Sequence, residues 1–70
     1  MKNNLTIIEE RIKNLRDRNM HTQNELAKKM KVSRNLICLW ENGYANISLR
    51  QIIKYCSIYN VPLDYILGII

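Results

Sequence analysis

Arg34 and Asn35 follow directly on Ser33, a residue type that caps helix N-termini well. Side chains in those two positions project past the start of a helix. A guanidinium can form two parallel hydrogen bonds to O6 and N7 of guanine, and a carboxamide can do the same to N6 and N7 of adenine. The free N–H groups and positive potential of the helix end also suit a phosphate. Arg34 can equally make a plain phosphate contact, and Asn35 can equally be a solvated residue. Leu39, further along the same stretch, can touch a thymine methyl or serve as an exposed apolar contact for a protein partner. Leu36 reads as half core.

Other chemistry lacks material. His21 is the only histidine, so no Ser-His-Asp set can be built without it. Glu9 and Glu10 are sequence neighbours on different sides of a helix. Gly43 and Gly68 are too isolated for a phosphate-cradling loop. Cys38 and Cys56 lack the paired spacing of a zinc site and are too few for a disulfide framework, so both read as free thiols of a reducing compartment. The expectation is a protein that is not an enzyme and needs no cofactor, metal or small-molecule substrate.

Charge points the same way. Seventy residues carry 11 Lys and Arg against 6 Asp and Glu, a net charge of +5. Eight of those cations lie between Arg11 and Arg34, opposed there only by Asp17 and Glu25. A one-sided excess of that kind suits a polyanion. A hydrophobic fraction of 47% with 24% charged residues fits a small folded domain rather than a disordered tail. The N-terminus has no apolar signal region and no run approaches a membrane span, so a cytoplasmic protein is expected.

The elements that hold Arg34 and Asn35 are legible from their caps. Thr22 and Glu25 form a capping box ahead of Leu26, Ala27 and Met30, which predicts a helix over about Gln23 to Met30. Ser33 starts a second helix over about Arg34 to Glu41, with Ile37 and Trp40 on its inner edge and Gly43 as the residue that closes it. Two capped helices so close together must cross, as in a helix-turn-helix unit.

Before them, Thr6 and Glu9 cap a first helix whose stripe is Leu5, Ile8, Ile12 and Leu15, with Asn19 as a left-handed stop. After them, Ser48 caps a fourth helix with inward residues Leu49, Ile52, Ile53 and Cys56 and a left-handed stop at Asn60. Pro62 sets the start of a fifth helix, Asp64 lies in its first turn, and Gly68 ends it. Nothing reads as a strand. Met1 to Leu5 reads as a poorly ordered lead-in, and the whole as one all-α, five-helix domain over residues 1–70 with an ordered core of about 6–68.

Thr22-Gln23, Glu25-Leu26-Ala27, Val32-Ser33-Arg34, Ile37 and Trp40-Glu41-Asn42-Gly43 together resemble the phage-repressor and Cro type (XRE) of helix-turn-helix domain. The run from Asn60 to Gly68 resembles its end, so the likeness covers roughly Ile8 to Gly68. It departs from the pattern at Lys31, where a glycine is usual, at Ile47, where a proline is common, and at His21, a position that is often apolar.

The resemblance implies a lambda-repressor-like fold and a sequence-specific regulator of transcription, of repressor type and bacterial or phage origin. By it, Gln23 matches a glutamine that clamps the DNA backbone, and Asn42 matches a second phosphate-contacting position, with simple C-capping as its alternative. Ser33, Tyr44 and Asn46 join them as phosphate contacts, beside Arg34, Asn35 and Leu39 as base contacts. A palindromic operator and a homodimer joined near the fifth helix are expected, with Ile66, Ile69 and Ile70 at the interface and Tyr65 as a further candidate. The rival is a protein-interaction module of the same fold, antitoxin-like or anti-repressor-like.

Overall fold

The computed structural model describes residues 6–70 and contains five helices and no strand among them: α1 (Ile7–Arg18), α2 (Gln23–Met30), α3 (Arg34–Glu41), α4 (Leu49–Tyr59) and α5 (Leu63–Leu67). Four of the five begin on a capping side chain. Thr6 and Thr22 each accept from the backbone N–H three residues on, while Glu9 and Glu25 reach back to the cap N–H, so both capping boxes are complete. The Ser33 hydroxyl accepts from Leu36 N–H and the Ser48 hydroxyl from Gln51 N–H. These bonds satisfy donors that every helix start leaves open, each for about 1 kcal/mol. The lead-in over residues 1–5, and with it Leu5, lies outside the described residues.

The helices close on one core. Ile12 and Leu15 of α1, Leu26 and Met30 of α2, Ile37 and Trp40 of α3, Ile52 and Tyr55 of α4 and Ile66 of α5 are all buried. Helix α2 packs on α3, α1 on both α3 and α5, and α4 on α2 and α5. Val32 is half-buried against the core from the α2–α3 turn. Lys31, where a glycine was the usual residue, adopts φ 60°, ψ 44°. A side chain in that left-handed region costs roughly 1–2 kcal/mol. The turn keeps it because Lys31 N–H bonds Ala27 and Lys28 carbonyls and Val32 N–H bonds Ala27 O. Lys54 of α4 adds a tertiary cap, its Nζ donating to Met30 O at 3.1 Å.

Three expectations need correction. Asn19 is not the left-handed stop of α1: its φ is −94°, and Met20 takes φ 59° instead. Asn19 instead caps the helix twice over: its backbone N–H bonds Leu15 O, and its carboxamide donates to the same oxygen at 2.7 Å. The inner face of α4 is also rotated. Leu49 and Ile53 are 57% and 51% exposed, and Tyr55 is fully buried. The stripe runs Ile52, Tyr55, Cys56 and Tyr59, helical spacing from Ile52 that leaves Ile53 one residue off the face and Leu49 at the helix mouth. Finally, Ile66 has no exposed surface within the single chain and offers nothing to a second copy. On so short a helix only Ile66 reaches the core, flanked by half-buried Leu63 and Leu67.

Beyond α5, Gly68 takes φ 81°, and a Cβ there would fall 2.6 Å from Ile7 Cγ2, so α1 and the end of α5 meet closely at this point. Arg11 fixes the same junction. Its Nη1 donates to Tyr65 O at 2.7 Å and Ile70 O at 2.8 Å, and its guanidinium carbon lies 4.3 Å from the centre of the Tyr65 ring.

Candidate nucleic-acid interface

The start of α3 presents Arg34 and Asn35 as exposed side chains without hydrogen bonds or ion pairs to other described residues. Ser33, also exposed, is occupied as acceptor in its own cap but keeps its O–H to donate. Lys28, Lys29 and Lys31 are exposed on the last turn of α2 and the bend beside it. That bend therefore shows solvent a run of cations with a helix N-terminus at its edge, where positive potential adds to positive charge. Leu36 is half-buried against the core, as read from the sequence. Leu39 is half-buried and stands outside the residues packed on that core.

The far end of α3, about 10 Å along its axis, is built differently. Glu41 is only 2% exposed, and its carboxylate is gripped by Arg16 of α1: Nε to Oε2 at 2.7 Å and Nη2 to Oε1 at 2.9 Å. The remaining Arg16 nitrogen, Nη1, donates to His21 O at 2.9 Å. The Glu41 carboxylate, accepting these bonds, holds the Arg16 guanidinium above its ordinary pKa. A third helix joins through Gln23, whose Nε2 donates to Glu41 Oε1 at 3.2 Å. Gln23, half-buried at the first position of α2, is thus tied to the last residue of α3.

Around this cluster, Asn42 uses its amide for capping: Nδ2 donates to Cys38 O at 2.9 Å and lies 3.4 Å from Cys38 Sγ. The C-cap alternative accounts for its position, with the side-chain amide engaged on Cys38. Tyr44 is 57% exposed and Asn46 is exposed in the loop that follows. His21 is half-packed, its Nδ1 3.0 Å from the Tyr59 hydroxyl, and burial pushes Tyr59 up to about 12. Cys38 and Cys56 are free and half-buried.

The structure therefore brings Gln23 and Asn42 to one end of α3 and Ser33, Arg34 and Asn35 to the other, with Tyr44 and Asn46 following the Asn42 end. Ile69 and Ile70 are 68% and 67% exposed and follow Gly68, which approaches Ile7, itself 42% exposed. Sequence reasoning passed over Arg16 and Glu41. It counted Arg16 in the basic excess and gave Glu41 no role. The signal was present: Glu41 is i+4 from Ile37 and next to Trp40, on the inner face of α3, and Arg16 is i+4 from Ile12 and next to Leu15. Opposite charges on two inward faces imply a pair.

A helix-turn-helix family model matches residues 12–66. The chain is 33% identical over 58 residues to a protein of Bacillus subtilis (strain 168) named HTH-type transcriptional regulator ImmR, an alignment that covers 83% of this chain. The chain spans about half the length of that relative, 46% of it.

Proposed function

The chain belongs to the XRE-type helix-turn-helix family, and from that premise we propose that it binds a specific double-stranded DNA site and regulates transcription, as a repressor of phage type acting in the cytoplasm. The observation that carries this reading is the pair Arg34 and Asn35: exposed, unengaged, and held at the capped start of a helix whose other end is anchored by a buried ion pair. Arg34 and Asn35 read base edges, with Leu39 as an apolar contact. Gln23, Ser33, Asn42, Tyr44 and Asn46 hold phosphates and set the register. The name of the Bacillus relative, a transcriptional regulator, supports the same use of the fold.

The test is duplex binding across a salt series with and without Arg34→Ala. The parent should bind one sequence best and weaken steeply as salt rises. Arg34→Ala should lose about 1–3 kcal/mol on that sequence and relax the preference at one base pair. Uniform weakening on every duplex makes Arg34 a phosphate ligand, and binding without salt dependence favours a protein-interaction module of this fold.

The active species in this reading is a homodimer on a palindromic operator with half-site centres about 10 base pairs apart. Ile69 and Ile70 supply its apolar contact, and Ile7, which the close approach at Gly68 brings beside them, takes the place of the enclosed Ile66. Sedimentation of the parent against Ile69→Asp with Ile70→Asp tests it: a dimer that survives both changes pairs elsewhere.

A further inference from the structure

From the Glu41 cluster we infer that Glu41 is a positioning residue for DNA binding: it sets the side-chain orientation of Gln23 before any duplex arrives. The inference rests on the reading of Gln23 as a backbone clamp. A glutamine side chain ends in a torsion with broad preferences, and its amide can present either its oxygen or its nitrogen to a neighbour. A phosphate accepts hydrogen bonds and repels an amide oxygen, so only one of the two orientations is productive. Glu41 selects that one. Its carboxylate is acceptor-only, so Gln23 must turn Nε2 toward Oε1, at 3.2 Å. One N–H is spent there and the second remains for an acceptor outside the protein. The ordering cost of the side chain is then met by the fold rather than at the moment of binding.

The carboxylate can do this near a polyanion because Arg16 neutralises it through two bonds of 2.7 and 2.9 Å and holds it with 2% of its surface exposed. Arg16, engaged on Glu41 and on His21 O, is itself withdrawn from the phosphates. The two sides of the clamp are also linked by the backbone: Gln23 opens α2, Glu41 closes α3, and the bond between them fixes the start of one helix against the end of the other.

A double-mutant cycle on duplex affinity tests the inference, run at a temperature where thermal melts show every variant folded. Gln23→Ala should weaken binding. Glu41→Gln, whose amide can donate to Gln23 and so permit the reversed orientation, should weaken binding about 3–10-fold in the parent and hardly at all in the Gln23→Ala background. A merely structural role for Glu41 would weaken both backgrounds by the same factor, and that result overturns the inference while leaving the clamp intact. If Gln23→Ala alone leaves affinity unchanged, the clamp reading fails first and this inference with it. Should Glu41→Gln not fold, the parent protein decides: the Gln23 side-chain amide should be ordered in the free protein, with an order parameter above about 0.6, and a freely rotating amide there overturns the inference.

Discussion

The two ends of this molecule are held together by different physics. Where α1, α2 and α3 meet, the organising contact is ionic: Arg16, Glu41, Gln23 and the His21 carbonyl form a connected set in which the charges are matched and the carboxylate is held by three directed bonds. Where α4 and α5 complete the core, the buried contacts are mainly apolar, with Arg11 and Lys54 donating to backbone carbonyls at the edges. Tyr55 is fully buried and its hydroxyl has no hydrogen-bond partner among the described residues, and Pro62 opens α5 without a side-chain cap. Leu49, Ile53, Ile69 and Ile70 are left in solvent. A charge network fixes one geometry, because every bond in it has a direction. An apolar contact tolerates small shifts, because burial has none.

The largest test of that contrast is Glu41→Ala. It leaves the Arg16 guanidinium mostly enclosed, 12% exposed, with only the exposed Asp17 carboxylate, 3.4 Å from Nη1, as countercharge. Removing one member of such a pair costs roughly 3–5 kcal/mol, which for a 70-residue chain is a large part of total stability. Urea denaturation should show it as a lower midpoint with an unchanged slope. A loss below about 1 kcal/mol would put the pair in the class of surface bridges and erase the distinction between the two ends.

Tyr55→Phe probes the α4 side of the core, next to Trp40, and should have the opposite sign. An unsatisfied buried hydroxyl costs about 1–3 kcal/mol, so deleting it should leave stability unchanged or raise it by up to that much. The ring contacts with Trp40 and Tyr59, at centroid distances of 6.4 and 6.3 Å, survive the change. Burial, and then the nearby Glu41 carboxylate, drive the Tyr55 pKa far up, which fits a hydroxyl that stays neutral in a closed site. A clear destabilisation would mean that the hydroxyl bonds to something after all, and that this end too is polar at heart.

The same contrast explains which parts of the fold the sequence made legible. Caps and turns are local, so Thr6, Thr22, Ser33, Ser48, Gly43 and Asn60 announce the boundaries of α1 to α4, and α2 and α3 fall where their spacing predicts. The face of α4 is not local. Leu49, Ile52, Ile53 and Cys56 are all apolar and adjacent faces can take them; the neighbouring helices enclose Ile52 and Tyr55 and leave Leu49 and Ile53 exposed. Arg16 and Glu41 were obscured for the same reason: a charge reads as solvated until its partner, 25 residues away, is seen. Ile53→Lys checks the corrected face and should change stability by no more than about 0.5 kcal/mol, whereas a core position would lose several times that.

The smallest effect should come from acid acting on the capping box of α2. Glu25 accepts from Thr22 N–H at 2.7 Å, and that bond, followed by the one with the Thr22 side chain, lowers its pKa below the ordinary 4.5. A carboxylate whose folded value is depressed contributes its full stabilisation above 4.5 and loses it as pH falls through the lower, folded value. Glu25 is fully exposed, so solvent screens the effect and it stays local to the helix start. Amide exchange should show this as faster opening of the first turn of α2 below about pH 4.5. The first turn of α5, which has no carboxylate reaching back to a cap N–H, should show no matching step. Glu25→Gln should flatten the α2 response, since glutamine keeps a box-forming acceptor without a proton to gain. An equal step in both helices would mean that acid loosens the whole fold, and that the directional bonds at the α2 end do not act separately from the apolar packing at the other.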